Sequence, residues 1–318
     1  MSTAVAEFTG FGMNTVLKHS IYGKNAQAAS AAVQGELARL ENKLSRFVAG
    51  SEISRINRAA GKTLVQVSSE IYQVLLDAIR FCEVSQGLFD ISIAPLVDLW
   101  NYQHAHHAPQ QKKIKQALAL IGYRDLVLKP DESTAGLRYA GQCIDLGGVG
   151  KGVAGDCCIG ILRDYDIHAA YIDIGASVSV LGSKPNGSPW RGGIRHPRQE
   201  GQLLGVVDAV DKAVVTSGDY ERYFVDKKGK RWHHILNPTT GYPAEAGLIS
   251  VTVVADTAIK ADALSTAIFV AGEERGLEYL SHFPGSDAVL MDDLQRVFVT
   301  QGLQASYKNA EGVMAHII

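Results

Sequence analysis

Four short segments of this 318-residue chain carry residue types and spacings that could do chemistry. The first is Asp145-Leu146-Gly147-Gly148-Val149-Gly150-Lys151-Gly152, entered by an apolar stretch and left by a helical pattern from Val149 toward Leu162. Glycines at such a junction let backbone approach a ligand, and the first N–H groups of the helix attract an anion. Lys151 would add a point charge beside a phosphate. A plain tight turn explains the same glycines. The segment is not a Walker A loop, because Asp145 stands at the required first glycine and Gly152 at the required Ser or Thr.

The second segment is Asp262-Ala263-Leu264-Ser265-Thr266, inside a helical pattern beginning near Ala258. Asp262 and Thr266 are four apart, so their oxygens share a helix face and could serve a hard cation such as Mg²⁺. The structural alternative is an acidic residue on the helix dipole and a Thr bonded back to its own helix. The third segment, His233-His234-Ile235-Leu236-Asn237-Pro238, ends a strand in a turn. A neutral His234 there could take a proton from an attacking hydroxyl, although a lone strand His is more often structural. The fourth is Gly87-Leu88-Phe89-Asp90-Ile91, followed by further apolar residues. It reads as a core strand, or as the wall of a planar-ligand pocket with Asp90 accepting from a ring N–H. The cluster His104, His106 and His107 lacks a neighbouring Cys or carboxylate and reads as a solvated loop.

These residues must be positioned by the surrounding elements. A strand-like segment spans Phe8 to Tyr22, and helical patterns cover about Asn25 to Leu44 and Ser69 to Gln86. Ser68 or Ser69 can cap the second helix, with Gly87 just past its end. A loop from Asn101 to Gln111 leads to a short helix, Lys112 to Ile121. Strands then dominate, among them Gln142 to Leu146, Ala169 to Ile174, Val178 to Leu181, Gly193 to Arg195 and Trp232 to Leu236. Helices from Ala258 to Val270 and Glu273 to His282 precede two closing strands. Helices in runs and strands in runs predict an α+β fold, with mainly antiparallel mixed sheets packed against helices in one domain of one or two lobes.

Composition narrows the function classes. With 31 Lys plus Arg against 33 Asp plus Glu, the formal charge of −2 gives no basic footprint for nucleic acid. No stretch approaches the roughly 20 apolar residues of a membrane span, and Met1 to Leu17 does not read as an export signal or membrane anchor. Cys82, Cys143, Cys157 and Cys158 lack CxxC spacing and read as reduced thiols of a cytoplasmic protein.

Taken in order, the segments resemble the FAD:protein FMN transferase family, the thiamine-biosynthesis-lipoprotein-like flavin transferases. The resemblance runs from about Met13 to Gly272. It rests on Met13-Asn14-Thr15, Leu44-Ser45-Arg46-Phe47, Gly87-Leu88-Phe89-Asp90, Asp145-Leu146-Gly147-Gly148 with Lys151-Gly152, and Gly193-Ile194-Arg195. Thr216-Ser217-Gly218, His234-Ile235-Leu236-Asn237-Pro238 and Ala261 to Thr266 complete it.

The resemblance implies Mg²⁺-dependent cleavage of FAD, with FMN passed through its phosphate to a Thr or Ser hydroxyl of an acceptor flavoprotein and AMP released. By motif, it places Met13, Phe47, Leu88, Phe89, Asp90, Asp145, Lys151 and Leu236 against the flavin nucleotide. The metal positions fall on the Gly148 carbonyl, Asp262, Ser265 and Thr266, and the base on His234. Asn237 stands where many members carry Asp, and Ala176-Ser177 where Gly-Asp is usual. An FAD diphosphatase and a non-catalytic FAD-binding protein are the competing readings.

Overall fold

The computed structural model describes residues 4–318. The chain opens with strands β1 (Val5–Gly12) and β2 (Thr15–Tyr22), then helices α1 (Ala26–Leu44) and α2 (Glu52–Arg58). Strand β3 (Val65–Gln66) precedes α3 (Ser69–Val84), α4 (Ala94–Trp100) and α5 (Gln111–Leu118). Strands β4 (Leu126–Lys129) and β5 (Thr134–Leu137) lead to α6 (Gly150–Asp164). Next come β6 (Ala169–Ile174), β7 (Ser177–Leu181), β8 (Trp190–Arg195), β9 (Leu203–Ala209) and β10 (Ala213–Gly218). They are followed by β11 (Tyr223–Val225), β12 (Arg231–His233), β13 (Leu248–Ala255), α7 (Ala258–Ala271) and α8 (Glu273–Ser281). The last strands are β14 (Asp287–Asp292), β15 (Val297–Val299), β16 (Tyr307–Asn309) and β17 (Ala315–Ile317).

The central sheet has nine strands in the order β1-β2-β6-β7-β10-β13-β14-β15-β17, antiparallel except where β15 meets β17. Its two faces bury different cores. Val215, Val251 and Val253 point into a cluster with Leu37, Leu40, Leu264 and Ile268 of α1 and α7. Their strand neighbours Val214 and Val254 point the other way, against Trp190, Ile194 and Val207 of the β16-β9-β8 sheet. This is an α+β fold. Among the described residues, no helix is long and apolar enough to cross a membrane.

Several elements depart from the sequence expectation. The segment Phe8 to Tyr22 is a hairpin, because Met13 (φ 51°) and Asn14 (φ 59°) form a two-residue turn whose twist suits paired strands. The apolar run after Gly87 is a loop entering α4, since Pro95 in the first turn favours a helix start and cannot donate to a ladder. Gln142 to Leu146 is reduced to a single parallel bridge, Cys143 to Ile93, and the Asn57 side chain takes the Ile144 N–H (2.8 Å) and donates to its carbonyl (3.0 Å). Strand β12 stops at His233, and beyond it only Leu236 pairs, in a single antiparallel bridge to Pro243. The helix α2, begun by Ser51 accepting from Ser54 N, was not anticipated.

Helix α7 is apolar on nearly all sides and runs through the middle of the core. It meets α6 at Gly152, where an added Cβ would lie 2.5 Å from the Ala258 carbonyl oxygen and 2.6 Å from Ile259 Cα. The glycine is therefore required by helix packing rather than by ligand approach. Gly152→Ala is expected to destabilise the protein by about 1–3 kcal/mol through overpacking, read as a lower midpoint in urea unfolding.

Candidate active site

One cavity of about 1100 Å³ opens over the face of the central sheet that carries Tyr171, Val178 and Val214. Its walls come from the loop Leu88-Phe89-Asp90, the turn holding Asp145 and Gly148, Lys151 of α6, and the end of β10. His234 and Leu236 after β12, Asp262 and Thr266 of α7, and the whole of β8 also line it. Met13, Phe47 and Ser265 do not line it. Met13 sits at the hairpin turn, packed against the core, and Phe47 is 78% exposed with the Arg46 guanidinium 4.3 Å from its ring centre. Ser265 is fully buried behind the wall, where its hydroxyl donates to the Asp262 carbonyl (3.0 Å) and meets Ser217 Oγ at 2.9 Å.

Asp262 is the polar anchor of α7. Its carboxylate is 3% exposed and accepts from Lys151 Nζ at 2.8 Å and from Gly152 N at 3.0 Å. The first turn of α6 and its lysine thus compensate a carboxylate that burial alone would penalise. Thr266 Oγ1 lies 3.2 Å from Ser217 Oγ. Asp262, Thr266, Ser217 and the Gly148 carbonyl are all hard oxygen donors, and the Lys151 ammonium on Asp262 shows that the spot accommodates positive charge. This donor chemistry fits Mg²⁺.

The two adjacent histidines divide their tasks by tautomer. His233 is buried, and its Nε2 faces the Ala244 carbonyl at 3.0 Å while Nδ1 accepts from Ile235 N at 3.3 Å. A carbonyl can only accept, so His233 carries its proton on Nε2 and both nitrogens are used structurally. His234 is the reverse: Nδ1 donates to the Arg222 carbonyl at 3.1 Å. Its Nε2 therefore bears a lone pair, with no partner among the described residues. Burial first, then the nearby cations Arg222 and Lys151, hold the His234 ring down to about 3, so it is neutral at physiological pH.

Other side chains brace the walls. Asp90 is buried and accepts from Ser92 N (2.7 Å), Ser92 Oγ (2.7 Å) and Tyr123 N (3.0 Å). Those bonds tie down the loop that carries Leu88 and Phe89, and burial pushes the Asp90 carboxyl above its ordinary value. Phe89 in turn covers Gly148, where an added Cβ would lie 2.7 Å from its ring. Asp145 accepts from Gly147 N (2.8 Å) and from Arg46 Nε (2.7 Å). Arg46, buried and bridging Asp145 to Asp98, was visible beforehand only as part of a motif. Its partners lie 52 and 99 residues away, beyond any local pattern. Asn237 accepts from Thr239 N (2.8 Å) through its side-chain oxygen, so an amide caps this turn as a carboxylate could. His104, His106 and His107 are exposed and join no group of ligand-competent side chains among the described residues.

Fold and cavity together give an α+β protein with a neutral imidazole and a buried, lysine-paired carboxylate in one cleft. The ApbE family model matches residues 13–290. The chain is 34% identical over 310 residues to an FAD:protein FMN transferase of Treponema pallidum, covering 92% of this chain and 85% of that protein. It is 32% identical over 299 residues to one from Klebsiella pneumoniae, covering 93% and 90%. The crystal structure of the ApbE protein from Thermotoga maritima superposes with a TM-score of 0.88 at 30% identity, covering 96% of this chain and 100% of that one. The chain belongs to the ApbE family, and with it to the transferases.

Proposed function

We propose that the protein transfers the FMN moiety of FAD to a Thr or Ser hydroxyl of an acceptor flavoprotein, forming a phosphoester and releasing AMP, in a Mg²⁺-dependent reaction. The observation that carries this reading is the neutral His234, its Nδ1 tied to a carbonyl and its Nε2 unengaged, in the same cavity as the Asp262–Lys151 pair. The acceptor hydroxyl oxygen bonds to the FMN-side phosphorus, its proton goes to His234 Nε2, and the bond to the AMP phosphate breaks. Leu88, Phe89 and Leu236 offer apolar surface to the rings, with Met13 and Phe47 reaching the nucleotide only from the rim. Asp90 and Asp145 hold the two loops that bear against it. Lys151 and the N-terminus of α6 favour the charge that develops on the leaving phosphate.

The metal would be held by Asp262 and Thr266 with the Gly148 carbonyl, while Ser265 supports Asp262 from behind. A bound Mg²⁺ supplies Lewis acidity and a template for diphosphate oxygens. The residues from Met13 to Thr266 work as one catalytic unit. A cytoplasmic acceptor is the reading that the four unpaired cysteines support.

The deciding assay incubates the protein with FAD and Mg²⁺, with and without an acceptor flavoprotein, and reads nucleotides and acceptor mass. AMP together with FMN-modified acceptor is expected. AMP and free FMN with unmodified acceptor would make the protein a diphosphatase, and no FAD turnover would leave only FAD binding.

The base also makes a pH prediction. Because its neutral form is favoured down to about 3, His234 keeps its lone pair from about pH 5 to 8. The kcat/KM profile should show no acid limb near the ordinary His value of 6.5. A limb there that vanished in His234→Ala would overturn this assignment.

A further inference from the structure

Strand β8 lies at the edge of its sheet, in the order β16-β9-β8, and all six of its residues line the cavity. Which of its backbone groups face outward follows from the ladder. Asp208 N donates to Ser306 O, and Ala310 N donates to Leu204 O, so the even-numbered residues of β9 bond to β16. The odd-numbered ones therefore bond to β8, through Trp190↔Ala209, Gly192↔Val207 and Ile194↔Gly205. That leaves the N–H and C=O groups of Arg191 and Gly193 turned to the open edge. Among the described residues, no hydrogen bond takes them up.

An unpaired edge of this kind invites another strand. Gly192 and Gly193 remove side chains from its middle, so a second backbone can come close. The far end of β8 is tied to the base: Arg195 pairs with Glu221, the neighbour of Arg222, whose carbonyl orients His234. The cavity also exceeds the roughly 300–1000 Å³ of a pocket for one small ligand, which leaves room for a second partner.

We propose that an extended stretch of the acceptor protein adds as a strand to the open edge of β8. The main-chain groups of Arg191 and Gly193 hold it, so that its Thr or Ser hydroxyl enters the cavity containing His234. This rests on the flavin-transfer reading above. It assigns acceptor recognition to main-chain pairing, with affinity drawn from the backbone and selection from alternate side chains.

The test uses the full chain with FAD, Mg²⁺ and a pool of short peptides, each containing one Thr. Gly193→Pro removes the outward N–H and leaves the β8–β9 ladder intact, as edge prolines do. It should raise the KM of modified peptides by about tenfold, with FAD affinity unchanged. Gly193→Ala places the same Cβ 3.3 Å from the flexible Leu203 side chain but keeps the N–H, and should raise the KM clearly less than Gly193→Pro. Independently of any variant's folding, single backbone N-methylations along a modified peptide should reduce transfer at alternate positions. Equal sensitivity at every position, an unchanged KM in a folded Gly193→Pro protein, or weakened FAD binding in that variant would each overturn strand addition. If the wild-type protein cleaves FAD but modifies neither peptides nor an intact acceptor, the transferase reading itself falls and takes this inference with it.

Discussion

His234→Ala is expected to slow single-turnover FMN transfer by about 10²–10⁴-fold, the usual worth of a positioned general base. FAD affinity and the unfolding midpoint should change little. His234 contributes one side-chain hydrogen bond, from Nδ1 to the Arg222 carbonyl, and its ring stands 5.8 Å from that of Tyr102. Removing it leaves that carbonyl free to bond water at the cavity wall, so the structural cost is small. His233→Ala is the contrasting control. That ring is buried, holds Ala244 O and Ile235 N, and meets Phe269 edge-on at 5.5 Å, so its loss should lower stability first. A ring held neutral down to about 3 is always ready to accept a proton but is a weak base. The negative charge of a bound diphosphate would raise its affinity for that proton, placing its greatest basicity in the loaded enzyme. Transfer by His234→Ala at the wild-type rate would remove the base from the mechanism.

What the sequence revealed of the site follows from how local each signal is. Asp145, Gly148 and Lys151 stand within seven residues, and Asp262 with Thr266 within one helical turn. Their types and spacing could therefore be read directly, and the cavity contains all five. Gly152 belonged to the same run but answers to a contact with α7, which lies more than a hundred residues further on. Met13 and Phe47 show the opposite limit, since a motif conveys neighbours in sequence and not which side chains end up inside a cleft. The apolar stretch before α4 lacked a decisive period, and Pro95 was the one residue in it that argued for a helix start. At Ile144, a side chain from α2 takes both main-chain groups, and the predicted strand keeps only the bridge from Cys143 to Ile93. The open edge of β8 could not be seen at all without the register of β9 and β16, because alternation decides which groups are spent and which are free.

Asp262→Asn should reduce FMN transfer by about 10³-fold or more. The side chains are nearly isosteric, and the amide oxygen can still accept from Gly152 N. What disappears is the negative charge that Lys151 Nζ meets at 2.8 Å. Lys151 is 29% exposed, so water can partly compensate it, and the stability loss should be about 1–2 kcal/mol, below that of a fully buried pair. Structure and chemistry can then be separated by a second change. Lys151→Met in the Asp262→Asn background removes the uncompensated ammonium and should recover much of the unfolding midpoint while transfer stays low. Recovery of both would mean that Asp262 matters only as a counterion for Lys151. Recovery of neither would place its main role in fastening α6 to α7. Stability regained without activity would assign the lost transfer to the chemistry of the Asp262–Lys151 pair and not to the fold. A binding titration with Mg²⁺ alone gives a readout independent of turnover, and the double variant should take up the ion more weakly than wild type.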